Sequence, residues 1–201
     1  MPSKRSTPSA ALALALTLAT STYGSPMNTP DIKQNPHPQM RYEVTMTIEG
    51  APGPFETVTG FMQYEVLDDR CLPMQDPISG AKKHPMTDPP IHFERVSDNV
   101  YKGVVYADLL QNEDYYGLGI CKWSLVSAIG RLQGKEATFS PDLSLDELVA
   151  QERKTLYFYK GNYSHNSVKD SVFAGVPLSD HIKAHRDDFF SVTLEAREVF
   201  P

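Results

Sequence analysis

The sequence predicts an all-β fold, an antiparallel β-sandwich with one short helix. Short segments in which apolar and polar residues alternate recur between turn-rich segments, and no long helices separate them as in a parallel α/β fold. In the clearest segment, Asp108–Leu132, an acidic loop is followed by apolar or small residues at every second position: Cys121, Trp123, Leu125, Ser127 and Ile129. A tryptophan two residues after a cysteine and a long last strand favour an immunoglobulin-like or transthyretin-like sandwich.

Alternation also defines the other strands. In the first, Tyr42, Val44 and Met46 face one side and polar residues face the other, which is typical of a half-exposed strand. Asp68–Pro90 carries five prolines and is predicted to be a loop, and a turn is predicted within Gly130–Gly134. The predicted strands are Met40–Gly50, Gly60–Leu67, Ile91–Val96, Val100–Tyr106, the central strand from Cys121, Lys135–Ser140, Lys154–Lys160 and Phe189–Phe200.

One helix is predicted after the sixth strand. Ser144 and Glu147 have the spacing of a capping box, in which the two residues satisfy free backbone N–H groups at the start of a helix. Leu145, Leu148 and Val149 would then share one face of that helix.

The N-terminus has the three parts of a secretory signal peptide, predicted over residues 1–24. Two basic residues come first, Ala10–Ala19 is an apolar run interrupted only by Thr17, and mostly small residues follow up to Gly24. Cleavage is expected after Gly24, with Ser21 as the alternative. The apolar run is far shorter than the ~20 residues that cross a bilayer, and no cysteine near the junction offers a lipid anchor. The predicted location is therefore periplasmic or secreted, without a membrane span.

Residues 25–39 are predicted to be a disordered linker, because they are rich in proline and polar residues and have no apolar period. Residues 40–201 have the length of one domain. The formal net charge is −6, and loss of Lys4 and Arg5 with the signal peptide would make it more negative. Such a charge predicts no nucleic-acid partner and suits either solubility or a basic partner.

Cys71 and Cys121 are the only cysteines in the chain. A single pair in an exported protein predicts a disulfide bond. The bond would close a loop of about 50 residues, for which the chain-entropy estimate is roughly 4 kcal/mol of stabilisation. The alternative, a reactive thiol, would need a neighbouring base and a reducing environment.

Two segments carry a resemblance to a known group of proteins. The run EDYYGLGICKW, Glu113–Trp123, and the last FSVTLEA, Phe190–Ala196, resemble parts of small uncharacterised exported proteins of Gram-negative bacteria. The likeness spans much of Arg41–Ala196 and rests on turn and core residues. It implies a β-sandwich and, since some such proteins neutralise toxins, a role of the toxin-immunity type. The chain departs from the lipid-anchored versions because it lacks the anchoring cysteine.

The sequence contains none of the common motifs for catalysis or cofactor binding. The patterns G-x-S-x-G, G-x-x-x-x-G-K-[ST], H-E-x-x-H and C-x-x-C are absent. His181 and His185 would share a helical face and with Asp180 or Asp187 form a metal-site candidate, but two solvated histidines are the favoured interpretation. Adjacent carboxylates in the loops are a candidate for calcium, without the EF-hand pattern. We predict no catalytic residue, no metal site and no cofactor.

The loop before the central strand is the predicted contact site for a protein partner, formed by Glu113, Asp114, Tyr115 and Tyr116. Tyrosines supply contact area at low entropic cost, and interface hot spots are enriched in them. The adjacent carboxylates would favour a basic partner. The alternative is that one or both tyrosines pack back against the edge of the sandwich.

The sequence favours a non-enzymatic exported binding protein, an inhibitor or immunity protein that neutralises a toxin in the periplasm. One alternative is a secreted hydrolase with a metal or carboxylate site, and another is an accessory module of an envelope assembly. A neighbouring toxin gene would favour the first interpretation, a metal in the purified protein the second, and co-purification with an envelope complex the third.

Export is testable on the native protein. Mass spectrometry should show that the first ~21–26 residues are missing, because the order of basic, apolar and small residues directs cleavage there. An intact N-terminus in a cytoplasmic fraction would contradict this prediction.

Overall fold

The computed structural model describes residues 30–163 and 171–200, which form two β-sheets around a common core. The predicted all-β sandwich with a short helix is confirmed. The predicted signal peptide, and residues 25–29 of the predicted linker, lie outside the described residues. The core takes fully buried side chains from both sheets, such as Met46 and Leu194 from the first and Tyr64 and Leu132 from the second.

The described residues contain twelve strands and two short α-helices. The strands are β1 Arg41–Glu49, β2 Thr57–Val66, β3 Met86–Thr87, β4 Pro90–Ile91, β5 Glu94–Ser97, β6 Val100–Tyr106, β7 Trp123–Gln133, β8 Ala137–Ser140, β9 Asp142–Ser144, β10 Arg153–Tyr159, β11 Ser171–Ala174 and β12 Phe189–Glu198. The helices are α1 Leu145–Val149 and α2 Asp180–Ala184. Short 3-10 turns occupy Asp69–Cys71, Lys160–Tyr163 and Arg186–Asp188.

The first sheet has the order β10-β12-β1-β6-β5, and the second has the order β11-β8-β7-β2-β3, with β4 also on β2 and β9 also on β7. Among the described strands the pairing is antiparallel except between β11 and β8, which are parallel. β1 lies in the middle of its sheet, between β12 and β6. Tyr42, Val44 and Met46 are buried as predicted, and antiparallel partners flank β1 on both sides.

β7 is the central strand of the second sheet, but its buried face changes partway along. Its register against β2 shifts between Gln63 and Tyr64, which leaves Val126 as a bulge. Beyond the bulge Leu132 is buried, whereas Ile129, predicted to point inward, is only half-buried. The uninterrupted alternation predicted for this strand is therefore wrong after the bulge.

The turn predicted within Gly130–Gly134 begins later than expected, because β7 continues to Gln133. Gly60 of β2 lies opposite Gly130. A Cβ atom on Gly60 would lie 2.6 Å from the carbonyl oxygen of Ile129, so only glycine permits the approach of the two strands here. These glycines serve close strand packing rather than a turn.

The predicted loop Asp68–Pro90 contains the two-residue strand β3, and β4 begins at its last residue. The predicted strand Ile91–Val96 is thus divided between β4, which ends at Ile91, and β5, which begins at Glu94. Both β3 and β4 form on the outer edge of β2, whose free backbone groups they satisfy. The N–H group of Val66 donates to the carbonyl oxygen of Pro85, and that of Met62 donates to Pro89. Proline has no backbone N–H group, so these prolines take part in the pairing only as acceptors, through their carbonyl oxygens.

The capping box at α1 is confirmed. The Ser144 hydroxyl accepts from the backbone N–H of Glu147, and the Glu147 carboxylate accepts from the Ser144 N–H at 2.8 Å. Leu148 is buried under β7 and β12, but Val149 is exposed. The prediction that these two residues share one buried face is wrong for Val149. The helix ends at this residue, before a second turn can form.

The predicted disulfide is present in the structure. It joins Cys71 to Cys121 with a Cα–Cα distance of 5.3 Å. The bond connects the loop after β2 to the loop before β7, at the end of the sandwich where the β2–β7 ladder stops.

Removal of the disulfide should destabilise the chain. Cys71→Ala with Cys121→Ala is expected to lower the free energy of unfolding by up to about 4 kcal/mol, because the unfolded state gains conformational freedom. Urea unfolding measures the change. Each single substitution should cost nearly as much as the double one, since either removes the cross-link, and unchanged stability in the double variant would contradict the prediction.

Candidate binding surface

The candidate loop runs from Asp108 to Lys122, between β6 and β7, and its own hydrogen bonds fix its shape. The backbone N–H of Trp123 donates to Asn112 Oδ1 at 2.9 Å, and the Cys121 N–H donates to the Glu113 carbonyl oxygen at 3.0 Å. Gly117 has φ +72 and Gly119 has φ +114, a region that favours glycine. The sharp turn that the sequence indicates at these glycines is therefore formed.

Tyr64 anchors the start of this loop from the core. Its hydroxyl donates to the carbonyl oxygen of Tyr106 and accepts from the backbone N–H of Leu109 at 3.4 Å. Burial raises the pKa of Tyr64, so the hydroxyl keeps its proton and remains a donor. This role could not be predicted, because alternation marks Tyr64 only as an inward-facing strand residue.

The segment 30–39, predicted to be part of a disordered linker, is instead held along the candidate loop. The Asn35 N–H donates to the Leu109 carbonyl oxygen at 2.7 Å, and the Gln111 N–H donates to the Lys33 carbonyl oxygen at 2.9 Å. The Asp108 carboxylate accepts from the N–H groups of the two residues before β1, at 2.8 and 3.0 Å. Backbone hydrogen bonds therefore order a segment whose side chains have no apolar period.

This segment also changes the charge of the predicted site. The Lys33 ammonium lies 2.7 Å from Glu113 Oε1, and this hydrogen bond raises the pKa of Lys33. The other oxygen, Oε2, is buried without a hydrogen-bond partner among the described residues. Asp114 is exposed, and one of its oxygens accepts from the Leu118 N–H at 3.0 Å. Of the two predicted carboxylates, Asp114 is thus the one that forms no ion pair with a described residue.

Both tyrosines of the predicted site are half-buried and pack against the core. The Tyr115 hydroxyl donates to the Gln111 carbonyl oxygen at 2.7 Å, and its ring meets Trp123 edge-on, with 6.4 Å between centroids. Burial raises the pKa of Tyr116. The structure therefore gives both rings a supporting position at the edge of the sandwich and leaves only part of each open to a partner.

The most exposed apolar side chains at this end of the sandwich belong to other residues. We call them the loop-tip surface: Leu67, Met74, Ile78, Leu118 and Ile120. They lie in the two loops that the disulfide joins. Ile78 is 97% exposed and Leu118 is 53% exposed. These residues were not predicted as part of a binding site, because single aliphatic residues in loops have no periodic pattern.

Ile78 lies in a turn that is held by hydrogen bonds to a carboxylate. Asp76 accepts from the Ile78 N–H at 2.9 Å and from the Ser79 hydroxyl at 2.6 Å. The bond from the Ser79 hydroxyl has the larger effect and the bond from the Ile78 N–H the smaller. Both lower the pKa of Asp76, so its carboxylate stays charged beside the exposed isoleucine. At the base of the same loop the Arg70 guanidinium lowers the pKa of Asp68 to about 2.

The histidine pair forms contacts within its own helix. The His181 and His185 rings are 4.5 Å apart between centroids, and His185 Nδ1 lies 3.0 Å from the His181 carbonyl oxygen. Within residues 30–163 and 171–200, no three His, Cys, Asp or Glu side chains are grouped so that they could hold a metal ion. In the same part of the chain, no helix has the length and apolar character needed to cross a bilayer.

Comparison with known proteins gave no match: no protein-family model, no curated protein and no solved structure is significantly similar to this chain.

The supporting position of Tyr115 is testable by unfolding. Tyr115→Ala should lower the free energy of unfolding by about 1–3 kcal/mol, because the ring contact with Trp123 and the hydrogen bond to Gln111 are both lost. Tyr115→Phe keeps the ring and should cost only about 1 kcal/mol. Urea unfolding followed by the fluorescence of Trp123 measures both, and wild-type stability of the alanine variant would refute the supporting position.

Proposed function

We propose that the chain is an exported, non-enzymatic protein that binds another protein through the loop-tip surface, as an inhibitor or immunity protein. The observation that carries the proposal is the display of aliphatic side chains on loops held by a disulfide and by the β2–β7 ladder. The disulfide draws together the two loops that carry these residues, and neighbouring exposed apolar residues in soluble proteins commonly mark a protein contact. Loops on a rigid scaffold are where binding residues are usually found.

The charges around the loop-tip surface favour a partner with basic groups. A carboxylate stands close in sequence to two of the exposed aliphatic residues, Asp76 to Ile78 and Asp114 to Leu118. The partner would then offer apolar pockets bordered by lysine or arginine, which is a common pairing at protein interfaces. The tyrosines at 115 and 116 support the loop from behind and add contact area at its margin.

The first step of the test is to find the partner by a pull-down from the native host with the mature chain, and to purify it. Ile78→Ser and Leu118→Ser should each raise the dissociation constant about tenfold, or 1.4 kcal/mol, because an exposed anchor is lost. The change should be mainly in the dissociation rate. Surface plasmon resonance measures both rates.

The matched control is Val172→Ser. Val172 is 59% exposed, comparable to Leu118, but it lies in β11 at the edge of the second sheet. It should bind the partner as the wild-type chain does. If the variants at 78 and 118 are folded and bind with wild-type affinity, the loop-tip surface is not the contact and the proposal fails.

A further inference from the structure

Residues 30–35, which we call the strap, lie along the start of the candidate loop like a short extra strand. Gln34 of the strap pairs antiparallel with Leu110, and a backbone hydrogen bond of 2.7 or 2.9 Å to residues 109–111 closes the pair on either side. An extended peptide that adds to the edge of a sheet is bound by hydrogen bonds of the same kind. The chain therefore contains a strand-pairing site that its own strap occupies.

The strap is held by few contacts. Among its six residues, all of which the structure describes, none is buried, and Ile32 is the one that packs partly on the core. The pairing itself uses backbone groups and depends little on the side chains of the strap. Segments with few buried contacts open at a low cost in free energy. The strap is therefore a part of the domain that can leave while the two sheets stay folded.

A hinge separates the strap from β1. Pro36 and Pro38 have no backbone N–H group to donate. Beyond them the Asp108 carboxylate accepts from the N–H groups of Gln39 and Met40, at 2.8 and 3.0 Å. These two bonds hold the start of β1, so release of the strap does not pull β1 out of the first sheet.

The strap also supplies the cation that meets Glu113. The Lys33 ammonium donates to Oε1 of this carboxylate at 2.7 Å, whereas Oε2 is buried without a hydrogen-bond partner among the described residues. Such an oxygen is unusual, because buried polar atoms are generally hydrogen-bonded. A lysine is a point donor, but the guanidinium of an arginine is a fork that can donate to both oxygens of a carboxylate. The strap thus satisfies only one of the two oxygens.

We propose that residues 109–113 form a pairing site for an extended peptide that carries an arginine, and that the strap occupies this site until a strand of a partner protein displaces it. The peptide repeats the two backbone hydrogen bonds of the strap and places its arginine on Glu113. The strap itself shows what the site accepts, an extended backbone with a cation opposite this carboxylate. The site uses none of the five residues of the loop-tip surface, so it is a second contact, independent of the proposed function.

Hydrogen exchange at the Gln111 N–H reports on the strap in the mature chain without any partner. Lys33→Glu should raise the exchange rate at least tenfold, because two carboxylates then repel each other where the ion pair was. Lys33→Arg should lower the rate severalfold, since the arginine also donates to Oε2. Lys102→Glu is the matched control, because Lys102 lies 2.7 Å from Glu43 with a similar exposure, but on β6. It should leave the exchange rate at Gln111 unchanged.

The second measurement is fluorescence anisotropy with a labelled peptide of residues 30–39, PDIKQNPHPQ, in which arginine replaces the lysine. The chain with Lys33→Glu should bind this peptide at least tenfold more tightly than the wild-type chain, whose tethered strap competes at a high effective concentration. The chain with Lys102→Glu should bind it as the wild-type chain does. The same peptide with glutamate in place of the lysine should not bind.

The proposal is overturned if Lys33→Glu leaves the exchange at Gln111 unchanged, or if Lys33→Arg does not slow it. It is also overturned if the chain with Lys33→Glu fails to bind the arginine peptide or binds the glutamate peptide equally well, or if Lys102→Glu acts as Lys33→Glu does. Because neither measurement involves the loop-tip surface or its partner, these failures are distinct from a failure of the proposed function.

Discussion

The disulfide between Cys71 and Cys121 is the constraint on which the candidate surfaces depend. It joins two loops at the point where the ladder between β2 and β7 ends with the Val66–Trp123 pair. The ladder holds one end of each loop, and the covalent bond holds the loops to each other. Segments with so few buried residues would otherwise be among the first parts of the domain to open. The bond therefore keeps the exposed side chains of both loops at one end of the sandwich.

The strands that were predicted well are those in which one face meets solvent and the other meets the core. β1 alternates throughout because water and core impose opposite preferences on successive residues. The prediction was wrong for β7 because the bulge at Val126 depends on the register of β2, which is set by the partner strand. For the same reason β3 escaped prediction, and the predicted strand Ile91–Val96 is divided: Ile91 pairs with the edge of β2 in β4, and β5 begins at Glu94.

In the candidate site, too, some features could be predicted from the sequence and others could not. Its position in a loop held by glycines could be predicted from Glu113–Ile120, because backbone conformation at glycine is a local property. The directions of its side chains could not, because they depend on distant residues. Lys33 meets Glu113 across 80 positions of sequence, and Tyr115 finds its place through Trp123. A loop sequence can thus indicate where a surface is, while tertiary contacts decide which of its residues reach a partner.

The charges of this end of the sandwich are largely satisfied within the chain. Glu113 is paired with Lys33, Asp68 with Arg70, and Asp108 with backbone N–H groups. Exposed pairs of this kind contribute little energy, and at physiological ionic strength their fields fade within about 8 Å. If a partner binds the loop-tip surface as proposed, most of the affinity would come from burial of aliphatic side chains such as Ile78, at about 25 cal/mol per Å² of apolar area. In the proposed complex, the net acidity of the chain would act at longer range, on the rate of encounter, and apolar contact would set the dissociation rate.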